Sequence, residues 1–222
     1  MERIKRPILV YKYSGITEYA FDSLRKSVFW CTDHDKLNDP FDCQFKYADS
    51  MFEKIGVPKN DRSSFEKLVK KLWGWGLCCF TTENSNHLMW SHYADGHKGF
   101  CLEFDTRKCK LLSEKLFPVT YSDEFPIIKE FDEIIPNGVL RKTKKWEYEK
   151  EWRLIIGGSG NCHLPYNRRA LSSIYFGLNT SAKDLRKVMS ICRRSHHRKI
   201  KYYRTVKEED TYSLKHQVLE VD

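Results

Sequence analysis

Hydrophobic and polar positions alternate in some short stretches of the chain and recur at helical spacing in others, and the two periods take turns from one end to the other. Leu9 to Tyr13 is an aromatic strand that Ser14-Gly15 ends. Glu18 to Lys26 places Ala20, Phe21 and Leu24 on one helical face, and Val28 to Thr32 is again a strand. In Leu37-Asn38-Asp39-Pro40-Phe41-Asp42 the proline favours a fixed turn. Ser63 and Glu66 have capping-box spacing for a helix through Leu72. Leu77 to Thr81, Asn86 to Ala94 and Gly99 to Phe104 then predict a strand, a short helix and a strand. Prolines 118, 126 and 136 interrupt residues 105–145, which read as a variable surface insertion with a strand around Phe117 to Tyr121. Ser173 to Phe176, Ala182 to Arg193 and Ile200 to Val206 predict strand, helix and strand. This order implies an α+β fold: one domain spanning 1–222, with a twisted, mainly antiparallel mixed sheet split around a cleft and flanked by short helices.

The stretch from Trp146 to Ile156 stands apart. Its alternation predicts one strand with Glu147, Glu149, Glu151 and Arg153 on one side and Tyr148, Trp152, Leu154 and Ile156 on the other. Carboxylates at successive same-side positions repel one another unless water or a cation covers them. Taken alone, this is a solvated outer face with Arg153 and neighbouring lysines as counterions.

A net charge of +9 favours acidic partners, nucleic acid or nucleotides among them. The cation-and-aromatic run Arg193, Arg194, Arg198, Lys199, Lys201, Tyr203 and Arg204 is the candidate nucleic-acid contact. No apolar run is long enough to span a bilayer, so no membrane association is expected and the protein reads as cytoplasmic. The eight cysteines fall mostly in apolar strands and lack zinc-ligand spacing; they read as buried thiols, with no metal expected. Gly157-Gly158-Ser159-Gly160 lacks the lysine and spacing of a phosphate loop and reads as a turn.

Four blocks resemble a bacterial family known only as domain of unknown function 2971: Tyr11-Lys12-Tyr13; Leu37 to Asp42; Met89 to Ala94 with His97 to Phe100; and Trp146 with Tyr148 to Arg153. That resemblance implies no established activity. The order of elements is also similar, at the level of fold, to ADP-ribosyltransferases, in which an early strand meets the cofactor, a strand-helix-strand unit contacts nicotinamide, and a late strand carries a Glu-x-Glu pair. This likeness implies NAD as co-substrate, with Glu151 facing the ribose and Glu149 orienting the acceptor or taking its proton. It assigns cofactor contacts to Tyr11, Lys12, Tyr13, Trp90, Ser91 and Tyr93, with Lys12 at the pyrophosphate, Trp90 or Tyr93 stacking on nicotinamide, and Ser91 binding its amide. The first strand departs from the pattern, offering Tyr11, Lys12 and Tyr13 where those enzymes usually show histidine or arginine. The expected function is NAD-dependent ADP-ribosyl transfer to a nucleic acid or a nucleic-acid-associated target, in a bacterial defence or toxin setting. Two alternatives stand beside it: a metal-dependent nuclease using Asp39, Asp42, Glu149 and Glu151, and a non-catalytic nucleic-acid-binding module.

Overall fold

The computed structural model describes residues 4–72, 74–158, 160–197 and 199–220. Ten strands form one mixed sheet: β1 (Leu9–Ser14), β2 (Val28–Asp33), β3 (Trp75–Thr81), β4 (Phe100–Asp105), β5 (Leu116–Pro118), β6 (Glu151–Gly157), β7 (Cys162–Pro165), β8 (Leu171–Phe176), β9 (Lys201–Lys207) and β10 (Leu214–Val218). Their order is β7-β2-β3-β1-β4-β8-β9-β10, with β6 between β3 and β5. Every pairing is antiparallel except β8 with β9. The α+β class and the mainly antiparallel sheet therefore match the expectation. Six α-helices surround it: α1 (Glu18–Lys26), α2 (Asp49–Lys54), α3 (Arg62–Leu72), α4 (His87–Tyr93), α5 (Lys110–Lys115) and α6 (Ala182–Arg194).

The sheet divides at β3. β6 covers one edge of that strand from Trp75 to Thr81. The other edge is shared: β2 pairs with Gly76 and Leu77, and β1 pairs with Thr81. Between these contacts β1 and β2 part, and among the described residues Cys78 to Phe80 have no strand neighbour on that side.

Alternation along each strand places two different cores on the two faces. Val10, Phe29, Phe80, Phe104, Leu154 and Phe176 pack on the side of α1, α5 and α6. There Phe29 meets Phe80 and Phe104 edge-on at 5.2 and 5.1 Å, an arrangement that the ring quadrupoles favour. On the opposite face Tyr13, Met89, Trp90, Cys101 and Tyr175 form a cluster around α4, while Leu77, Val139, Leu140 and Ile155 form another. α1 begins with the Thr17 hydroxyl accepting from the Ala20 amide and ends on Ser27 in the left-handed region, so both ends are closed locally.

Residues 105–145 differ from the expected surface insertion. Leu112, Leu116, Ile128, Ile134 and Val139 are all fully buried. The stretch also supplies two short parallel pairings, Thr120–Tyr121 with Arg141–Lys142 and Lys46–Tyr47 with Ile127–Ile128. Its prolines punctuate short elements of mixed burial, with Ile127 and Phe131 exposed beside these buried residues. All eight cysteines are free, six of them buried, as read from their apolar surroundings. Among the described residues no helix is long and apolar enough to cross a membrane.

Candidate active site

β6 begins only at Glu151, and the preceding residues Lys144–Glu149 form a 3-10 helix instead of continuing the strand. Lys150 joins the two in a left-handed conformation, with φ 44° and ψ 51°. The expected strand from Trp146 is thus shortened for a tertiary reason. The Thr81 hydroxyl donates to the Glu149 carbonyl, and the Asn86 side-chain amide donates to the Tyr148 carbonyl. Carbonyls engaged by side chains of neighbouring segments do not need a ladder partner. Trp152, Leu154 and Ile156 do face one core as the alternation predicts, whereas Tyr148 lies off the strand against the other.

The charged side of this segment is solvated only at Glu147; Glu149, Glu151 and Arg153 are enclosed. Glu149 and Glu151 are 3% and 5% exposed, and Arg153 is fully enclosed. The Arg153 guanidinium grips Glu151 through two bonds of 2.8 and 3.1 Å and reaches Asp42 at 2.7 Å. Its remaining nitrogen donates to the Val139 carbonyl at 2.6 Å. Lys142, on the short strand within the 105–145 stretch, places Nζ 2.7 Å from Glu149, 3.2 Å from Glu151 and 3.5 Å from Asp42. The Glu151 amide donates to the Tyr121 hydroxyl, and the Tyr93 hydroxyl donates to Glu149 at 2.6 Å. Burying charge on this scale is costly unless every group is paired and hydrogen-bonded, and here the partners are present.

Asp42, Glu149 and Glu151 against Lys142 and Arg153 leave one net negative charge when all five are ionised. The two glutamates share the imbalance unequally. Burial alone would raise Glu151, but the adjacent Arg153 and Lys142 charges outweigh it and hold its carboxyl down at about 2. Glu149 is raised, chiefly by burial, against the opposing effect of Lys142 and the Tyr93 hydroxyl. Two carboxyls pushed apart in this way divide into one that stays ionised and one that can exchange a proton, which is the pattern of an acid–base pair.

These groups floor a cavity of about 280 Å³ at the divided edge of β3. Tyr11, Tyr13, Trp30 and Tyr93 wall it, with Lys12, Thr32 and Thr81 between them. Of the residues expected to contact cofactor, Tyr11, Lys12, Tyr13 and Tyr93 line this cavity and the other two do not. Trp90 is fully buried, edge-on to Tyr13 at 5.0 Å and stacked on His97, so no face of it remains for a ligand. Ser91 donates to the His87 carbonyl inside α4 and bonds to His97. Adjacent helical positions point in different directions; Met89 and Tyr93 reach the cavity from α4, and Tyr93 bonds to Glu149.

Asp39, grouped with Asp42 in the metal alternative, lies apart from the cluster. Its carboxylate accepts from the Trp146 indole at 2.8 Å and from the Phe41 amide, as a turn residue does. The point on which Asp42, Glu149 and Glu151 converge is occupied by the Lys142 ammonium. Lys142, Tyr121 and the bidentate role of Arg153 were not evident from sequence. Lys142 sits in the run Arg-Lys-Thr-Lys-Lys, where no local feature distinguishes it from its neighbours.

The basic run near the end is divided by the sheet. Lys201 and Tyr203 alternate with Tyr202 and Arg204 along β9, and alternate residues face opposite sides. Tyr203 stacks on Tyr175 at 4.8 Å on the α4 side, while Tyr202 packs on the α6 side. Arg193 and Arg194 are exposed at the end of α6, and Lys199 is exposed beyond it. Arg204 spends both terminal nitrogens on the carbonyls of Thr180 and Leu178. Arg198 lies outside the described residues.

Residues 89–154 match the model of a family described as protein of unknown function (DUF2971). The chain is similar to that family over this segment. The DUF2971 segment runs from α4 into β6 and carries Tyr93, Lys142, Glu149, Glu151 and Arg153, whereas Lys12 and Asp42 lie outside it. Comparisons with curated proteins and with solved structures return no match.

Proposed function

We propose that this protein cleaves the nicotinamide–ribose bond of NAD and transfers ADP-ribose to an acceptor, with Glu151 and Glu149 as the working carboxylates. The observation that carries this reading is the pair of buried carboxylates, Glu149 and Glu151, bridged by Lys142 at the floor of an aromatic-walled cavity. As the bond breaks, nicotinamide leaves as a neutral ring with the bonding electron pair, and positive charge develops on the ribose. A carboxylate held ionised nearby stabilises that charge, and Glu151 is such a group. The acceptor atom then bonds to the ribose carbon and gives up its proton. Glu149 is suited to receive it, because its raised pKa brings it closer to working pH. Tyr11, Tyr13 and Trp30 supply aromatic surface for a planar ring. The net charge of +9 supports a nucleic acid, or a protein bound to one, as acceptor. A divalent ion in the nuclease alternative would have to displace the buried Lys142 ammonium, which disfavours that reading.

The test is nicotinamide release from NAD by the purified chain, with and without RNA, DNA and cell extract. Release should fall at least about 100-fold in Glu151→Gln, the scale of losing one preorganised electrostatic group. Release at the wild-type rate in both Glu149→Gln and Glu151→Gln would sink the proposal.

A further inference from the structure

The division of the sheet does more than shape the site cavity. On the α1 side of the same opening lies a second cavity of about 750 Å³, between that helix and the sheet. Its walls are mostly apolar, with Phe29, Phe100, Leu102, Phe104 and Tyr166 at the back and Ser23 on the helix. Three residues, Lys12, Tyr13 and Trp30, line both cavities. Cys78 and Phe80, whose side chains belong to the α1-side core, also line the site cavity. The two cavities therefore adjoin across the sheet where, among the described residues, Cys78 to Phe80 lack a strand neighbour.

Lys12 stands in this opening. It shares a strand face with Val10, which packs on the α1 side, yet its Nζ donates to the Cys79 carbonyl at 3.2 Å across the gap. The ammonium also lies 5.6 Å from the centre of the Phe80 ring. Among the described residues it forms no ion pair, although an ammonium has three protons to place. The carboxylate cluster takes Lys142 and Arg153 as its cations and leaves Lys12 out. Lys12 is only half-buried, and it hydrogen-bonds the Cys78 thiol, which its bond to Cys31 and the Lys12 charge hold down at about 7, so an anion entering the opening would meet a cation whose neighbours in the chain are thiols and not carboxylates.

We propose that the two cavities are halves of one binding site that takes a dinucleotide through the sheet, with the anionic diphosphate at Lys12, one nucleoside at the carboxylate cluster and the other base in the apolar compartment beneath α1. The order of chemistries decides the direction. The cluster with its net negative charge repels phosphate and receives a cationic ring and its sugar; Lys12 receives the diphosphate; the aromatic walls receive an uncharged planar base. The two volumes together are at the upper end of the ~300–1,000 Å³ range of small-molecule sites, which suits a two-ended ligand better than a single ring. The ligand class rests on the ADP-ribosyl-transfer reading above, whereas the opening through the sheet does not.

Calorimetric titration of ADP, the half of the ligand without the nicotinamide nucleoside, into the full chain tests this separately from any cleavage. ADP should bind, and Lys12→Met and Ser23→Trp should each weaken it tenfold or more. If Ser23→Trp does not melt cooperatively, Ala20→Leu narrows the same compartment with a smaller side chain and carries the same expectation. No ADP binding by the wild type, or binding indifferent to the compartment variants, overturns the inference even if NAD is cleaved. ADP binding with the expected variant pattern but no glutamate-dependent NAD cleavage upholds the through-sheet site and removes the transferase reading.

Discussion

The Lys142 ammonium lies 2.7 Å from a carboxylate oxygen of Glu149, with both side chains buried. Lys142 also meets Glu151 and Asp42, so it is the cation through which the three carboxylates tolerate one another. Lys142→Met should destabilise the chain by about 3–5 kcal/mol, the cost of leaving buried charge uncompensated. Adding Glu149→Gln to it should restore part of that loss by removing one unpaired charge. Urea denaturation of the two single variants and the double variant measures the coupling, and strictly additive losses would contradict the network.

The opposite displacements of the two glutamates give stability two pH signatures. Glu151 binds its proton less readily when folded, so it adds stability above its ordinary value near 4.5, and that contribution is lost as pH falls toward about 2. Glu149 is raised, so its contribution is greatest below its ordinary value and is lost as pH rises through the raised one. Relative to wild type, Glu149→Gln should therefore gain stability as pH increases above about 4.5, and Glu151→Gln should gain as pH decreases below it. Urea midpoints recorded across that range give both difference curves. Curves of the same slope would show that the two carboxyls are not divided as described.

Arg153 combines a two-point grip on Glu151 with contacts to Asp42 and the Val139 carbonyl, a planar geometry that lysine cannot reproduce. Arg153→Lys should keep the charge yet lose roughly 2 kcal/mol or more of stability, since buried donors and acceptors are left unmatched. Chemical denaturation at neutral pH checks this, and a midpoint equal to wild type would deny the importance of the fork.

Trp90 and Ser91 should separate structure from activity. Trp90→Ala opens a cavity in a fully buried position and should cost about 3–5 kcal/mol. Ser91→Ala should change NAD cleavage less than twofold, because its hydroxyl is turned into α4 and away from the cavity. A large loss of cleavage in Ser91→Ala with normal stability would restore the nicotinamide contact expected from sequence.

A nucleic-acid acceptor should be felt at the end of α6. Arg193→Ala combined with Arg194→Ala should weaken RNA or DNA binding and flatten its salt dependence by about one unit of slope per charge removed. Arg204→Ala should lower the melting temperature and leave that slope unchanged, because its nitrogens already hold the Thr180 and Leu178 carbonyls. Filter binding over a salt series distinguishes the two.

Much of the framework is written in local pattern. β1, α1, β2 and α4 fall within a residue or so of where spacing and turn residues place them, because alternation, helical spacing and a capping Thr17 or Asn86 act between near neighbours. The importance of Glu149 and Glu151 was also legible, since like charges at close spacing demand a partner. The partner itself was not. Lys142 reaches the glutamates because Thr120–Tyr121 pairs with Arg141–Lys142, and a pairing of two residues leaves no periodic trace in sequence. The strand through Trp146 was overextended for the same reason: side chains of Thr81 and Asn86, distant along the chain, take the carbonyls that a strand would use. Sequence alone determined the α+β class and set Glu149 and Glu151 close together as like charges that need a partner, both of which depend on neighbours along the chain. Tertiary structure decided whether those glutamates meet water or Lys142 and Arg153, which aromatics face them, and how β1 and β2 part around Lys12, because burial and long-range charge pairing arise only when distant segments are brought together.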